Sequence, residues 1–319
     1  MENLTDSACA LSIVIPVYRS APILPQLVEK IHAEMHKEGF ADNFELLLVN
    51  DASPDNSWQV IRSLANTHGF IKGISLRRNF GQHNAVMAGL NYASGEFVVL
   101  MDDDLQHPPE AIGNIVRALA EGHDVCYTNY MNRQHALWKK LGSQFNDWVA
   151  CRLLNKPKGL YLSSFKGLRK EIVQEVIRYD GPYAYVDGLI LDVTRSITSV
   201  DIEHQSRLTG EGNYNFRRSL SLWLKMATSF SVLPLRLATY AGFAIAGLSL
   251  MMIVFVIAQK LLHPEMAAGW ASLIATVLFI GGVQTFCIGV MGEYLGRTYL
   301  KLNHKPQFIV AHKTWLPKE

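Results

Sequence analysis

The sequence predicts an α/β domain built on a mostly parallel sheet, followed by a helical hairpin that crosses a membrane. In the first 130 residues, short continuously apolar segments alternate with segments of helical periodicity, which is typical of a parallel sheet covered on both faces. Acidic clusters come directly after two of the apolar segments, where such sheets bind ligands. Two long uncharged runs in the last third of the chain predict the membrane hairpin.

Five strands and four helices are predicted in the alternating region. The strands are short, apolar and rich in β-branched residues, and turn residues such as Pro54 and Gly95 lie between them and the helices. The predicted strands are Leu11–Val17, Phe44–Asn50, Ile71–Ser75, Phe97–Met101 and Asp124–Tyr130, and the predicted helices are Ala21–Lys37, Asn56–His68, Asn84–Ala93 and one that Pro108 and Pro109 open and that extends to about Ala120.

The segments between this region and the hairpin are less regular. Ala136–Leu154 is amphipathic, so it is either a helix that faces the core or a helix at a membrane surface. Ser199–His204 predicts a strand, and Arg207–Tyr214 is a polar, glycine-containing loop that can close over a substrate. Phe216–Val232 is amphipathic and directly precedes the uncharged runs, which favours the membrane surface.

The two uncharged runs, Ala238–Ala258 and Trp270–Gly292, are each long enough to cross a bilayer, which takes about 20 helical residues. By the positive-inside rule, the basic residues at the outer ends of the pair place both ends in the cytoplasm; they are Arg236, Arg297, Lys301 and Lys305. We therefore divide the chain into a cytoplasmic domain (1–214), a juxtamembrane amphipathic helix (215–232), two transmembrane helices (233–295) and a cytoplasmic tail (296–319).

Composition argues against two other classes of protein. The formal net charge of +2 gives no electrostatic basis for binding nucleic acid. The four cysteines are scattered without a CxxC pair, which argues against a zinc site and is typical of reduced thiols in a cytoplasmic domain; they are Cys9, Cys126, Cys151 and Cys287.

The segment MDDDLQHPPE, residues 101–110, predicts a cation site at the end of the fourth strand. In an extended strand end, Asp102 and Asp104 point to one side and Asp103 to the other, and Gln106 reaches the first side if the extended path continues. Two carboxylates and an amide oxygen suit Mg²⁺ or Mn²⁺, which keep open positions for phosphate oxygens. The alternative is a solvated acidic turn that caps the next helix.

Further polar residues are candidates for contacts with a nucleotide. Asp51, after the second strand, either caps the helix that follows or binds a nucleobase or ribose, while Ser53 and Asp55 are better cap candidates. Four arginines are candidates for binding a diphosphate through bidentate hydrogen bonds, although each taken singly is more often a solvated surface charge. Arg207 is favoured because it opens the glycine-containing loop; the four are Arg77, Arg78, Arg133 and Arg207.

Read together, these motifs resemble glycosyltransferase family 2 and, within it, the polyprenyl-phosphate glycosyltransferases. The resemblance rests on SIVIPVY, VNDASPD, RRNFGQHNAVMAGL and MDDDLQHPPE in the first domain, and on the hairpin and GEYLGR (292–297) in the last third. It covers nearly the whole chain and implies a GT-A fold, a Rossmann-like, mostly parallel sheet. It also implies a homo-oligomer packed through its membrane helices.

The resemblance implies roles for individual residues. Pro16, Tyr18 and Asp51 line the base and ribose site, which Asp102 adjoins, and Asp102 and Asp104 form the metal site with Gln106. Arg133 and Arg207 hold phosphate groups of the donor or acceptor, with Tyr214 beside them. The residues expected to be essential for catalysis are Asp102, Asp104 and Arg207.

Several positions depart from the family pattern. Arg19-Ser20 replaces an Asn-Glu pair, and Gly212-Asn213 replaces a Ser-Lys pair that precedes Tyr214. In the stretch SSFKGL, Ser164 stands where the family has an acid, and Lys166 takes the basic position, where it is expected to bind phosphate. These departures put in doubt a catalytic role for an acid at position 164.

The function that the resemblance implies is inverting transfer of a sugar from a nucleotide-sugar, favouring UDP, to undecaprenyl or another polyprenyl phosphate. The product serves cell-envelope glycan modification, of O-antigen or lipopolysaccharide, at the bacterial inner membrane. The chain has no QxxRW motif, which argues against a processive polysaccharide synthase. Two alternatives stay open, a membrane glycosyltransferase that acts on a sugar hydroxyl and a catalytically inactive membrane scaffold.

Overall fold

The protein is described by a computed structural model that covers residues 9–40, 43–130, 156–157, 159–181, 184–202, 233–262, 269–303 and 305–315. The chain divides into two compact units, one formed by Met1–Asn213 with His304–Glu319 and the other by Tyr214–Asn303. Three segments singled out in the sequence lie outside the described residues, namely Ala136–Leu154, Arg207–Tyr214 and Phe216–Val232.

The described part of the first unit contains an eight-stranded sheet with the order β7-β5-β6-β4-β1-β2-β3-β8. Neighbouring strands are parallel except where β6 or β8 pairs, which confirms the mostly parallel sheet that the sequence predicts. The strands are β1 Leu11–Val17, β2 Phe44–Asn50, β3 Ile71–Leu76, β4 Phe97–Leu100, β5 Val125–Tyr130, β6 Lys166–Arg169, β7 Ile197–Ile202 and β8 Val310–Lys313.

Helices connect the parallel strands, and the predicted ones are present with small differences at their ends. A 3₁₀ turn, Pro109–Ala111, precedes α4, so the two prolines open the helix later than predicted. The helices of the first unit are α1 Leu24–Lys37, α2 Ser57–Thr67, α3 Gln82–Tyr92, α4 Ile112–Ala120, α5 Lys170–Val176 and α6 Val186–Val193.

The central strands are buried on both faces because helices cover each side. Every residue of β1 and β2 is buried, as expected for continuously apolar strands. Ile13 and Ile15 face the core that α1 and α4 share, while Val14 packs against α3 on the opposite face. At Gly89 in α3, an added Cβ would lie 2.2 Å from Cγ1 of Val14, so this close approach of helix to strand requires glycine.

The second unit contains two long helices, α7 Leu233–Leu262 and α8 Trp270–Leu302. Both extend beyond the predicted uncharged runs, and the thiol of Cys287 lies 3.8 Å from the carbonyl oxygen of Ala238. Within the residues that the structure describes, neither helix is long and apolar enough to cross a membrane. The membrane-crossing hairpin therefore stays a prediction.

Candidate active site

The loops after β1, β2, β3 and β4 meet at the carboxyl edge of the sheet. This edge carries Asp51, directly after β2, and the Asp102–Asp104 run, just after β4, as predicted. Three non-glycine residues in the described part of the chain have positive φ, and each lies in one of these loops. Such backbone is costly and collects at functional sites; the three are Arg19 (60°), Ala52 (49°) and Leu105 (59°).

Asp51 fixes the loop that precedes α3. Its two carboxylate oxygens accept the backbone N–H groups of Phe80 at 2.7 Å and Gly81 at 2.8 Å. Burial raises the pKa of this carboxyl group, and the two hydrogen bonds oppose the rise. Asp51 does not cap α2, the helix that follows it, so that alternative is wrong. The α2 N-terminus is held instead by Asp55, which accepts the N–H of Ser57 at 3.1 Å.

Asp103, the middle carboxylate of the motif, points to the loop after β1. Its Oδ2 accepts the backbone N–H of Tyr18 at 3.1 Å and the hydroxyl of Ser20 at 2.5 Å. Burial is the main reason that the pKa of Asp103 rises to about 6, since two hydrogen bonds offset it only in part. This side chain therefore joins the β1 loop to the β4 loop.

Asp102 points to different neighbours from Asp103, as expected for adjacent residues at a strand end. Its Oδ1 accepts a hydrogen bond at 2.7 Å from the side-chain amide (Nε2) of Gln82, the first residue of α3. Its Oδ2 accepts the hydroxyl of Ser164 at 2.6 Å, from the segment that leads into β6. The carboxylate side chain keeps 25% of its surface exposed, so it remains open to a ligand.

His107 contacts both Asp102 and Ser164. Its Nδ1 accepts the backbone N–H of Asp102 at 3.0 Å, so the neutral ring carries its hydrogen on Nε2. Nε2 lies 3.4 Å from the hydroxyl oxygen of Ser164 and 3.8 Å from Oδ2 of Asp102. The ring stacks on Phe165 with the two planes 11° apart, which fixes its orientation.

Asp104 and Gln106 lie in the tight turn that follows. Oδ1 of Asp104 accepts the N–H of Gln106 at 3.1 Å, and Leu105 between them adopts the left-handed backbone. In the described part of the chain, no group of three or more His, Cys, Asp or Glu side chains could hold a metal ion. Mg²⁺ usually takes one or two carboxylates and completes its shell with water and substrate phosphates. The pair Asp102 and Asp104 fits that smaller donor set.

Lys166 does not face solvent but forms a buried ion pair. Its ammonium group donates to Oδ1 of Asp187, which also accepts the hydroxyl of Tyr127 at 2.9 Å. Lys166 also lies over the Tyr127 ring, with Nζ 5.0 Å from the ring centroid. The expected phosphate contact of Lys166 stays a prediction, and the observed partners give this residue a structural role.

His83, in the first turn of α3, lies within the electrostatic reach of both the ion pair and Asp102. Its ring meets that of Tyr185 edge-on, with centroids 5.1 Å apart. Burial lowers the pKa of His83, and the charges that act on it are those of Asp187, Lys166 and Asp102. A neutral imidazole is therefore favoured here at neutral pH.

Of the remaining predicted site residues, the structure describes four and does not describe three. Pro16 is buried in β1, whereas Tyr18 is 44% exposed at the mouth of the site. Of the arginines proposed to bind a diphosphate, Arg77 donates its backbone N–H to the carbonyl of Ile309, and the guanidinium of Arg78 lies over the Phe80 ring. Those that lie outside the described residues are Arg133, Arg207 and Tyr214.

Sequence reasoning missed Gln82 and His107 as partners of Asp102, and it noted Ser164 only as a departure. Gln82 and His107 both lie inside the motif runs, but nothing in their spacing shows that α3 and β6 flank the end of β4. The pairing of β4 with β6 brings Ser164 beside Asp102, and that pairing is antiparallel and distant in sequence.

Two family models match the chain. The model described as Glycosyl transferase family 2 matches residues 12–177, and the one described as GtrB C-terminal hairpin matches residues 233–298. The undecaprenyl-phosphate 4-deoxy-4-formamido-L-arabinose transferase of Yersinia pestis strain Pestoides F is 33% identical over 311 residues, 97% of this chain and 94% of that protein. The protein of the same description from Yersinia pseudotuberculosis serotype O:3 strain YPIII gives the same values.

The solved structures that the chain matches are more distant in sequence. Glucosyl-3-phosphoglycerate synthase from Mycobacterium tuberculosis, in complex with phosphoglyceric acid, has a TM-score of 0.49 at 17% identity, covering 69% of this chain and 78% of that one. The mannosyltransferase PcManGT from Pyrobaculum calidifontis, in complex with GDP-Man and Mn²⁺, has a TM-score of 0.48 at 15% identity, covering 91% and 88%.

Proposed function

This chain belongs to glycosyltransferase family 2 and is a glycosyltransferase, and from that membership we propose that it transfers a sugar from a UDP-sugar to undecaprenyl phosphate or a similar polyprenyl phosphate. An oxygen of the lipid phosphate forms a bond to the anomeric carbon, and the bond from that carbon to the nucleoside diphosphate breaks. A single displacement of this kind inverts the anomeric configuration.

One observation supports a phosphate acceptor more than any other. Among the described residues, the two carboxylates considered as a base for a sugar hydroxyl are both engaged in holding the protein together. Asp103 joins the loops after β1 and β4 through hydrogen bonds from Tyr18 and Ser20, and Asp187 forms a buried ion pair with Lys166. Removing a proton from a sugar hydroxyl requires a base placed within hydrogen-bond reach of it.

A phosphate monoester acceptor does not need such a base. Its second pKa is about 6, so the acceptor is largely a dianion at neutral pH and is already nucleophilic. The main task of the protein is then to bring two anions together and to align the attacking oxygen with the anomeric carbon. The serine at position 164, where relatives have an acid, is compatible with this chemistry.

We assign the binding roles as follows. Tyr18, whose ring is exposed, lines the base and ribose site together with Pro16 and Asp51, and Asp102 adjoins the ribose. Arg133, Arg207 and Tyr214 bind phosphate groups. Asp102 and Asp104, with Gln106, would hold Mg²⁺ or Mn²⁺, which when bound offsets the negative charge on the leaving diphosphate.

The lipid acceptor also gives a reason for the second unit. Each buried CH₂ group stabilises a lipid in the bilayer by about 0.8 kcal/mol, so a polyprenyl chain does not leave the membrane for a soluble enzyme. We propose that α7 and α8 anchor the enzyme in the bacterial inner membrane as a multi-pass hairpin, with the catalytic domain and both termini in the cytoplasm. Residues 215–232 then lie at headgroup level, and the product serves O-antigen or lipopolysaccharide modification.

The proposal is tested with purified full-length protein in detergent, undecaprenyl phosphate, Mn²⁺ or Mg²⁺ and a panel of radiolabelled UDP- and GDP-sugars. The panel includes UDP-4-deoxy-4-formamido-L-arabinose because that sugar stands in the description of the relatives. The measurement is label that partitions into the organic phase. Undecaprenol, which lacks the phosphate, is the matched control acceptor.

We expect labelled lipid from one donor, none with undecaprenol, and loss of the product with EDTA or in Asp104→Ala. If a donor binds but no label enters the lipid, the acceptor assignment is wrong and a sugar hydroxyl becomes the leading acceptor. If no nucleotide-sugar binds at all, the chain is an inactive scaffold.

A further inference from the structure

The carboxylate of Asp102 is held by two neutral side chains that do not belong to the proposed metal-binding motif. Gln82 donates to Oδ1 at 2.7 Å and Ser164 donates to Oδ2 at 2.6 Å. The two donors come from different parts of the chain, one at the start of α3 and the other just before β6. They lie on opposite oxygens, so together they fix the rotation of the carboxylate plane.

We propose that Ser164 and Gln82 are positioning residues that orient Asp102 toward a divalent cation, and that the hydroxyl of Ser164 sets the affinity of the site for that cation. The inference rests on the proposed metal site formed by Asp102 and Asp104. Each carboxylate oxygen has about two lone-pair sites, so a single donor on each oxygen leaves one free for a cation. A free carboxylate must lose rotational freedom when it binds, whereas this one has already lost it.

A hydroxyl at position 164 affects Asp102 differently from a carboxylate or from the methyl group of alanine. A carboxylate within 2.6 Å of Asp102 would repel it unless a proton or a cation lay between them. An alanine would leave Oδ2 without its donor. The serine supplies a hydrogen bond and no charge, so the local charge available to a cation is that of Asp102 and Asp104.

His107 directs the Ser164 hydroxyl toward Asp102. Because Nδ1 of His107 accepts the Asp102 N–H, its Nε2 hydrogen points to the oxygen of Ser164, 3.4 Å away. The serine oxygen then acts as acceptor from His107 and its hydrogen is free to be donated to Asp102. The ring is held in place by its stacking on Phe165.

The test measures Mn²⁺ binding directly, by electron paramagnetic resonance of free Mn²⁺ in titrations of the full-length protein saturated with UDP. Outer-shell partners of metal ligands typically contribute about 10–100-fold to affinity, so we expect Ser164→Ala to raise the Mn²⁺ dissociation constant by that factor. Ser164→Thr keeps the hydroxyl at an exposed position and is expected to bind Mn²⁺ as the wild type does. Gln82→Leu is expected to act in the same direction as Ser164→Ala.

A kinetic measurement separates positioning from loss of structure. We expect Ser164→Ala to raise the Mn²⁺ concentration for half-maximal activity, while kcat at saturating Mn²⁺ stays within about twofold of the wild type. Ser63→Ala, at an exposed serine on α2, is the matched control and is expected to change neither quantity. Equal thermal unfolding of Ser164→Ala and Ser63→Ala would show that both variants fold.

Failure of this inference differs from failure of the metal site itself. If Asp104→Ala still binds Mn²⁺ with the wild-type affinity, the proposed metal site is wrong and the inference falls with it. If Asp104→Ala loses Mn²⁺ but Ser164→Ala does not, the metal site is right and the role of Ser164 is wrong. If Ser164→Thr binds as weakly as Ser164→Ala, the hydroxyl is not what positions Asp102, which also overturns the inference.

Discussion

The hydroxyl oxygen of Ser20 lies 2.5 Å from Oδ2 of Asp103, and the same carboxylate oxygen accepts the backbone N–H of Tyr18. One partly buried carboxylate thereby holds the loop after β1 against the loop after β4. In addition, the hydroxyl of Ser53 accepts the N–H of Arg19 at 2.7 Å. The segment that carries Tyr18 is fixed by these hydrogen bonds even though its ring is exposed.

We predict that Asp103→Ala weakens nucleotide binding although Asp103 itself is not proposed to contact the nucleotide. Hydrogen bonds to a charged group contribute about 1.5–3 kcal/mol, and their loss frees the loop that carries Tyr18, so we expect the UDP dissociation constant to rise about tenfold or more. Isothermal titration calorimetry measures it. Asp103→Asn keeps an acceptor oxygen and is expected to lose less affinity; equal affinity in wild type and Asp103→Ala would contradict the prediction.

The Lys166–Asp187 pair gives a prediction about stability. Removing one partner of a buried ion pair typically costs about 3–5 kcal/mol, because the other charge is left buried without its partner. We therefore expect Lys166→Met and Asp187→Leu each to lower the unfolding temperature strongly. The double variant buries no unpaired charge, so it is expected to be more stable than the two single effects summed, which a double-mutant cycle on thermal unfolding measures.

The same cycle tests the phosphate role that the sequence predicts for Lys166. A lysine that binds phosphate would be replaced with little change in stability and a large loss of donor or acceptor affinity. A stable Lys166→Met variant with weakened binding would therefore favour the phosphate role over the structural one.

The segment that carries Lys166 also shows what could not be predicted from the sequence. The apolar strands β1 and β2 are predicted with their observed bounds, because continuous burial leaves a continuous apolar run. Strand β6 is missed because it is four residues long and begins with a lysine that is only 3% exposed. Lys166 is buried only because Asp187, on α6, neutralises it, and a single sequence does not show that contact.

The sequence likewise predicts only part of the candidate site. The placement of Asp51 and Asp102 at strand ends follows from the sheet topology, which the alternation of strands and helices predicts. The partners of these carboxylates do not follow, because Gln82 and Ser164 reach Asp102 through packing of α3 and pairing of β6. Motif spacing along the chain carries no information about such contacts between elements.

Asp55 at the start of α2 leads to a prediction about pH. Burial opposes ionisation of this carboxyl group, but hydrogen bonds from Ser53, Ser57 and Ala21 outweigh it and lower the pKa of Asp55 to about 2. An acid with a lowered pKa in the folded state stabilises the fold above its unfolded pKa of 3.8, and this contribution is lost as the pH falls from about 4 to about 2.

Replacement of Asp55 by asparagine removes that contribution. Because the group is partly exposed, we expect a cost near that of a lost helix cap, about 1 kcal/mol at pH 7, or an unfolding temperature lower by about 2–4 °C. The difference from wild type is expected to shrink at pH 3 and below. The exposed Asp180→Asn is the control, and a deficit for Asp55→Asn that is independent of pH would show that the charge of Asp55 is not its source.

The edge of the sheet at β3 is covered by β8, which the sequence does not predict. Thr314 exchanges two hydrogen bonds with Gly73, and Ile309 accepts the N–H of Arg77 at 2.9 Å. Around these bonds, the Trp58 ring stacks on His312 with their centroids 6.3 Å apart. The strand therefore closes an edge that would otherwise present unpaired backbone groups.

We predict that a chain ending after Phe308 is less stable and aggregates, whereas a chain ending after Trp315 behaves as the full-length protein. The shorter chain exposes the backbone groups of Gly73–Leu76 that pair with residues 310–314, and an exposed strand edge is a template for pairing with another molecule. It keeps Gln307, whose side-chain amide donates to the carbonyl of Gly181 at 3.0 Å, so the loss is confined to β8 and the residues on either side of it. Size-exclusion chromatography and thermal unfolding in detergent compare the two truncations. If both truncations elute and unfold alike, β8 does not protect the edge of β3 and the prediction is wrong.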